Sequence, residues 1–235
     1  MELKLNFLGR LQLSLGTEYI YLTTGFTDEL ISETHDFLHF SGRQEHSKDI
    51  NFFLKYEGQY KYIPERSKWF NDPIIALKIN IVDESYFPFR ISLKLSCKKP
   101  SGAEHLLSSS SKADYAGVFL LDYKIQKFNF YLNFGKVYAG KIESMKSINV
   151  DDFLYGYIVA EYNITERLRT LIQLSAMQSP YRKNKLSGFR GTPIEILFGA
   201  GYKLREYLII DLGFSQDLSL AAPEFGLSLG INLYF

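Results

Sequence analysis

The stretch Glu-Phe-Gly-Leu-Ser-Leu-Gly-Ile-Asn-Leu-Tyr-Phe, residues 224–235, alternates apolar side chains with polar or small ones without an error. Successive side chains of an extended chain point to opposite faces, so this stretch has one wholly apolar face. The opposite face carries small and polar groups. The pattern predicts a strand that separates two different environments, with hydrocarbon on one side and a polar interior on the other.

The same period of two recurs along the chain and predicts about twelve strands. They are expected at 2–15, 17–25, 52–59, 75–81, 87–96, 115–124, 128–135, 153–164, 167–177, 194–203, 208–215 and 224–235. From residue 61 onward, long connections such as 98–114 alternate with short turns such as 124–127. This alternation is typical of outer-membrane barrels. We therefore predict an all-β fold, a transmembrane antiparallel up-and-down β-barrel that forms a single domain over residues 1–235.

Composition excludes several classes of protein. The 27 Lys and Arg nearly balance the 26 Asp and Glu, which gives no electrostatic reason to expect nucleic acid as a partner. No apolar run approaches the roughly 20 residues that a spanning helix needs, which excludes a helical membrane protein. The single cysteine, Cys97, alternates with Leu93 and Leu95, so we interpret it as a small apolar side chain. No cofactor and no metal are predicted.

One segment, residues 27–42, has helical rather than strand periodicity. Thr27 can cap its start, and Gly42 follows its end. Such a helix would plug the barrel, lie at its periplasmic mouth, or serve as a connector. The residues singled out for this role are Asp28, Leu30, Ile31, His35, Phe37 and His39. The two histidines have a spacing that suits one metal ion, but no third ligand is indicated.

Charged residues on the polar faces of the predicted strands are expected to line the barrel interior. They are Lys55, Glu57, Lys78, Arg90, Lys94, Asp122, Glu161, Arg167, Arg169, Glu195, Asp211, Asp217 and Glu224. Basic and acidic groups nearly balance, so they can pair across a lumen that is narrower than that of a large porin. Alternatively, these charges are simply wetted by water in a narrow channel.

The chain offers few candidate catalytic groups. His105 lies near Ser108, Ser109, Ser110 and Ser111 in a long loop, which is the nearest approach to a hydrolase arrangement. A serine-rich loop is usually just solvated. No Gly-x-Ser-x-Gly, phosphate-binding loop or zinc signature occurs.

Two stretches resemble a known family of predicted outer-membrane proteins, the domain-of-unknown-function 3187 family. The first comprises residues 25–31, Gly-Phe-Thr-Asp-Glu-Leu-Ile, with His35, Phe37 and the Gly-Arg pair 42–43. The second comprises Gln-Asp-Leu at 216–218 and Ala-Pro-Glu-Phe at 222–225. Thr27 and Thr34 depart from the family's Leu and Phe. The resemblance covers the whole chain and implies an outer-membrane barrel without supplying an activity.

The two ends of the chain carry further expectations. The final Tyr234 and Phe235 resemble the last residues of outer-membrane proteins, which the assembly machinery recognises, so we predict that machinery as a partner. Met1 starts a strand-like pattern with no signal peptide, although an outer-membrane protein requires one. Members of the family are typically longer at this end, which implies a chain truncated at its N-terminus.

The predicted location is the bacterial outer membrane, with membrane lipid as a second partner. The favoured function is a narrow or plugged channel or transporter for a small or lipid-like solute. Two other classes stay open. An outer-membrane enzyme acting on lipids requires a close His–Ser pair, whereas a soluble ligand-binding barrel requires an apolar interior.

Overall fold

The structure is a computed structural model that describes residues 2–7, 9–21, 52–56, 59–63, 68–83, 87–100, 112–141, 149–183, 190–219, 221 and 225–233. The predicted helix 27–42 with its six singled-out residues lies outside the described residues, as do Glu57, Glu224, Tyr234, Phe235 and His105 with its neighbouring serines. Among the described residues, no helix is long and apolar enough to span a bilayer.

The described chain forms fifteen strands, and eleven of them build one antiparallel sheet. Those eleven are β1 Glu2–Phe7, β2 Leu11–Gly16, β7 Ile74–Val82, β8 Phe89–Lys98, β9 Asp114–Ile125, β10 Phe128–Tyr138, β11 Phe153–Asn163, β12 Leu168–Met177, β13 Ile194–Arg205, β14 Leu208–Asp217 and β15 Phe225–Leu233. Each pairs with its neighbour in this order, so the sheet is an up-and-down meander. The all-β, antiparallel part of the prediction is confirmed.

The connections alternate in length around the sheet. Short connections join the strands at one end, which we name the short-turn rim, at residues 8–10, 83–88, 126–127, 164–167 and 206–207. Longer connections join them at the other end, the long-loop rim, at 17–73, 99–113, 139–152, 178–193 and 218–224. Because strands alternate in direction, every long connection falls on the same side.

Three predicted strands differ from the structure at the N-terminal side of the sheet. Residues 2–15 form the hairpin β1–β2 rather than one strand. Within 17–25, only β3, Tyr19–Tyr21, is described as a strand, and it pairs with β6, Lys68–Phe70, beyond the end of β2. The predicted strand 52–59 is instead part of a hairpin of β4, Phe52–Tyr56, and β5, Gln59–Ile63, which pair with each other apart from the main sheet. The described sheet therefore has eleven strands, not twelve.

The two faces of the main sheet differ sharply in exposure. On the apolar face of β15, Leu227, Leu229 and Ile231 are 56%, 70% and 66% exposed. On the opposite, polar face, Ser92 in β8 and Glu161 in β11 are 1% and 6% exposed. The apolar face is therefore the exposed face of the sheet, and the polar face contains its buried residues.

Candidate functional site: the polar face of the sheet

The structure brings most of the predicted interior charges to the polar face. The strand registers place there Lys78, Arg90, Lys94, Asp122, Glu161, Arg169, Glu195, Asp211 and Asp217. Arg167 lies exposed in the turn before β12. Lys55 lies in β4, outside the main sheet. That these side chains line a lumen stays a prediction.

A chain of polar contacts centred on Arg169 crosses the polar face from β10 to β15. Its guanidinium lies 3.4 Å from the Glu161 carboxylate and 3.1 Å from the Asp211 carboxylate. Asn129 donates to the other Glu161 oxygen at 2.6 Å, and Asn232 donates to the other Asp211 oxygen at 2.5 Å. We name these five residues the Arg169 network. Each carboxylate has a cation and an amide as partners, which offsets the cost of burying Glu161 and of partly desolvating Asp211.

The Arg169 network depends on a glycine in the strand between its partners. Gly201 in β13 pairs with Arg169 on one side and with Asp211 on the other. A Cβ atom at Gly201 would lie 2.5 Å from both the Arg169 Nε and the Asp211 Oδ1. The ion pair therefore passes over β13 only because this position has no side chain.

A second set of charges lies on the neighbouring part of the polar face. Arg90 in β8 and Asp122 in β9 are direct strand partners, and their charged groups are 4.0 Å apart. Lys78 and Lys94 are also direct partners, on β7 and β8. These two ammonium groups repel each other, and strands β7 and β8 carry cations without any acidic residue of their own.

The charges are thus divided between two parts of the polar face. Strands β7 and β8 carry the cations Lys78, Arg90, Lys94 and Lys98. Strands β11 to β14 carry the acids Glu161, Glu195, Asp211 and Asp217 against the cations Arg169 and Lys203. Glu195 and Asp217 are direct partners, which concentrates negative charge at the long-loop rim. We name these two regions the basic wall and the acidic wall.

A cluster at the long-loop rim was missed by sequence reasoning. The Lys98 ammonium lies 2.5 Å from Asp114 and 3.6 Å from Asp72, whose residue is 2% exposed. Gly140 N–H donates to Asp114 Oδ1 at 2.6 Å. Burial raises the pKa of nearby Tyr181, with Asp114 adding to the rise and Lys98 opposing it. The sequence feature that could have indicated this cluster is the pair Lys98 and Asp114, which flank the loop 99–113.

Aromatic side chains on the apolar face form two bands. Near the short-turn rim, Phe128 lies 4.8 Å from the Tyr162 ring and 6.0 Å from the Phe130 ring, centroid to centroid. Near the long-loop rim, Tyr115 and Tyr138 are exposed on the same face. Aromatic rings in such bands favour the boundary between hydrocarbon and water.

No group of three or more metal-binding side chains occurs among the described residues. Cys97 lies on the apolar face, where it pairs with Ile75 and Tyr115. The family model described as "Protein of unknown function (DUF3187)" matches residues 1–235, the whole chain. No curated protein matches the chain.

Proposed function

The chain belongs to the DUF3187 family, and from the geometry of its sheet we propose that it is a bacterial outer-membrane β-barrel with its polar face turned inward. The barrel is a narrow channel, open or plugged, that lets a small polar solute pass the membrane. One observation carries this proposal: the face that is apolar is the face that is exposed.

Exposed apolar side chains recur on every strand of the main sheet, from Leu3 and Leu5 in β1 to Leu229 and Ile231 in β15. Soluble monomers rarely expose contiguous apolar patches larger than a few hundred Å². Lipid would cover this face at no cost, since acyl chains are as apolar as leucine. A soluble ligand-binding barrel would instead bury these residues, so the exposure favours the membrane.

The height of the apolar face supports the same placement. Phe128 and Tyr138 mark the two aromatic bands on β10, and ten residue steps separate them. At about 3.3 Å per residue and a tilt of about 40°, these steps give a height of about 25 Å. That height is close to the apolar band of outer-membrane barrels, about 25 Å.

The division of the polar face into two walls supports passage of a polar solute. In a closed barrel of about twelve strands, the basic wall on β7 and β8 would lie opposite the acidic strands β13 and β14. Opposed charges create a field across the lumen, which orients a dipolar solute and replaces part of its hydration.

The membrane placement is tested by cell fractionation of the full-length protein. We expect it in the outer-membrane fraction, resistant to alkaline carbonate and released only by detergent, because its apolar face needs hydrocarbon. Recovery of folded protein from the soluble fraction without detergent would exclude the proposal.

The channel is tested by planar-bilayer recordings in a salt gradient. We expect discrete conductance steps for the wild type and a reversal potential shifted towards cation selectivity for Lys94→Glu, because this substitution reverses a charge on the basic wall. Lys127→Glu is the matched control, since Lys127 is exposed in the turn between β9 and β10.

Plugging is tested by deleting the predicted helix 27–42 in the same assay. A plugged channel predicts larger steps after the deletion. Baseline currents for both the wild type and the deletion variant, together with no liposome swelling, would exclude a channel.

A further inference from the structure

A groove runs along the apolar face of β10, β11 and β12. Its volume is about 500 Å³, and its walls are almost wholly apolar, with Phe134, Ile158 and Leu174 among them. Gly156 and Ala176 are direct strand partners in the middle of the groove. Their small size leaves a depression between larger side chains.

A second, polar pocket of about 520 Å³ lies next to the groove at the long-loop rim. The two cavities share Leu154 and Gln178 as lining residues. Gln178 is held to Leu154 by two hydrogen bonds, from Gln178 N to Leu154 O at 2.8 Å and from Leu154 N to Gln178 Oε1 at 3.2 Å. One backbone hydrogen bond and one to the Gln178 side chain therefore fix the residues that the apolar groove and the polar pocket share.

The polar pocket carries three cations and two acids, a net charge of +1. Lys183 lies 2.5 Å from Asp151, and Arg182 donates to the Asp152 main-chain oxygen at 2.8 Å. Lys136 lies 3.9 Å from Asp152. The Arg182 guanidinium has further donors beyond this one bond, which can turn to an anion in the pocket.

We propose that groove and pocket together bind one lipid with an anionic phosphate headgroup. An acyl chain lies over Gly156 and Ala176, and the phosphate lies against Arg182 and Lys183. The inference rests on the proposed placement of the apolar face in hydrocarbon. The net positive charge of the polar pocket and its position next to the groove favour this ligand over a lipid without net charge.

The test uses native mass spectrometry of the full-length folded protein in neutral detergent. The probes are phosphatidylglycerol, phosphatidylcholine with the same acyl chains, and free glycerol phosphate. We expect phosphatidylglycerol to bind about tenfold more tightly than phosphatidylcholine. Both lipids carry the phosphate, but the choline ammonium of phosphatidylcholine cancels its charge and would be repelled by a pocket of net charge +1. Free glycerol phosphate should bind far more weakly, since it lacks the chain that fills the groove.

Two double variants separate the rim pocket from general surface charge. Arg182→Gln with Lys183→Gln should lower the affinity for phosphatidylglycerol about tenfold. Lys124→Gln with Lys127→Gln removes the same charge at the short-turn rim and should leave the affinity unchanged. Ala176→Leu fills the groove and should weaken the binding of both phospholipids.

Equal binding of the two phospholipids by the wild type, or equal losses in the two double variants, would overturn the inference. Glycerol phosphate binding as tightly as phosphatidylglycerol would overturn the role of the groove. One outcome is a protein that is released only by detergent and conducts ions, yet shows no preference for phosphatidylglycerol. That outcome would contradict the lipid site and leave the proposed function standing. A protein that is soluble without detergent defeats the proposed function itself.

Discussion

Arg169 reaches Asp211 across an intervening strand because Gly201 leaves the space between them empty. Arg169 also approaches Glu161, so one cation serves two carboxylates, of which Glu161 is the buried one. A buried carboxylate is tolerated only when its oxygens keep hydrogen-bond partners. The glycine is thus as important to the Arg169 network as its charged members.

Gly201→Ala should therefore destabilise the protein by about 1–2 kcal/mol. The new methyl group would lie 2.5 Å from Arg169 Nε and Asp211 Oδ1, so one of these side chains must move and the ion pair must lengthen. The free energy of unfolding, measured by denaturant titration in detergent micelles, checks this expectation.

Gly230→Ala is the matched control on the polar face of β15. A Cβ there would lie 3.5 Å from the Asp211 Cβ, an ordinary contact, so the stability should change little. Equal losses for the Gly201 and Gly230 variants would show that the effect comes from the backbone rather than from the Arg169 network.

Arg169→Met tests the cation itself while keeping most of the side-chain volume. We expect a loss of about 1–3 kcal/mol, because Glu161 would keep its charge in a buried position without the cation that balances it. Adding Glu161→Gln should restore part of that loss, since it removes the unpaired charge. The double-mutant cycle is measured by the same denaturant titration, and strict additivity of the two effects would contradict direct coupling.

At the scale of single residues, the sequence predicted which face of a strand each side chain occupies, but not which side chains contact each other. Alternation alone placed Arg169, Glu161 and Asp211 on one side of their strands. Their contacts depend on the register between strands, and register is not encoded in the period of two. The importance of Gly201 appears only when β12, β13 and β14 are aligned.

The hairpin β1–β2 shows why two strands can look like one strand in the sequence pattern. Phe7 pairs with Leu11, so the turn contains three residues, an odd number. The apolar residues therefore have odd numbers both before and after the turn. The alternation in 2–15 continues as it would through a single strand. Ile125 pairs with Phe128 across two residues, so there the apolar positions shift from odd to even and the turn is visible.

Gly9 provides the only local sign of the β1–β2 turn, and it can be tested. Its φ is +66°, a left-handed conformation, and no atom lies within 4 Å of an added Cβ. Gly9→Ala should therefore cost about 1 kcal/mol through the backbone alone. The measurement is the free energy of unfolding.

Gln126 offers the converse test in the turn between β9 and β10. It adopts a φ of 52° without being glycine, so Gln126→Gly should relieve strain and raise stability by up to about 1 kcal/mol. If Gln126→Gly lowers stability instead, the Gln126 side chain contributes more than its backbone conformation costs.

For the whole molecule, the pattern predicted the alternation of loops and the separation of the two faces, because both can be read from the spacing of apolar residues along the sequence. It predicted twelve strands, whereas the described sheet has eleven. With eleven antiparallel neighbours, the edge strands β1 and β15 run in the same direction. They can close the sheet directly as a parallel pair, or through one more strand that is antiparallel to both.

Cysteine cross-linking distinguishes these two closures. In a Cys97→Ala background, Leu5→Cys is combined in turn with a cysteine at Leu227, Leu229, Ile231 or Leu233, all on the apolar face. Direct pairing would bring one combination to Cα atoms about 5 Å apart and allow a disulfide. An intervening strand sets the edges about 10 Å apart, which prevents a disulfide but admits a bismaleimide of that length. We expect the second result, because an even number of antiparallel strands is the usual closure of bacterial barrels.

Leu5→Cys with Leu13→Cys, a direct pair of β1 and β2, is the positive control for disulfide formation. A disulfide in any of the four combinations would contradict the intervening strand, and the absence of both products would contradict a closed barrel.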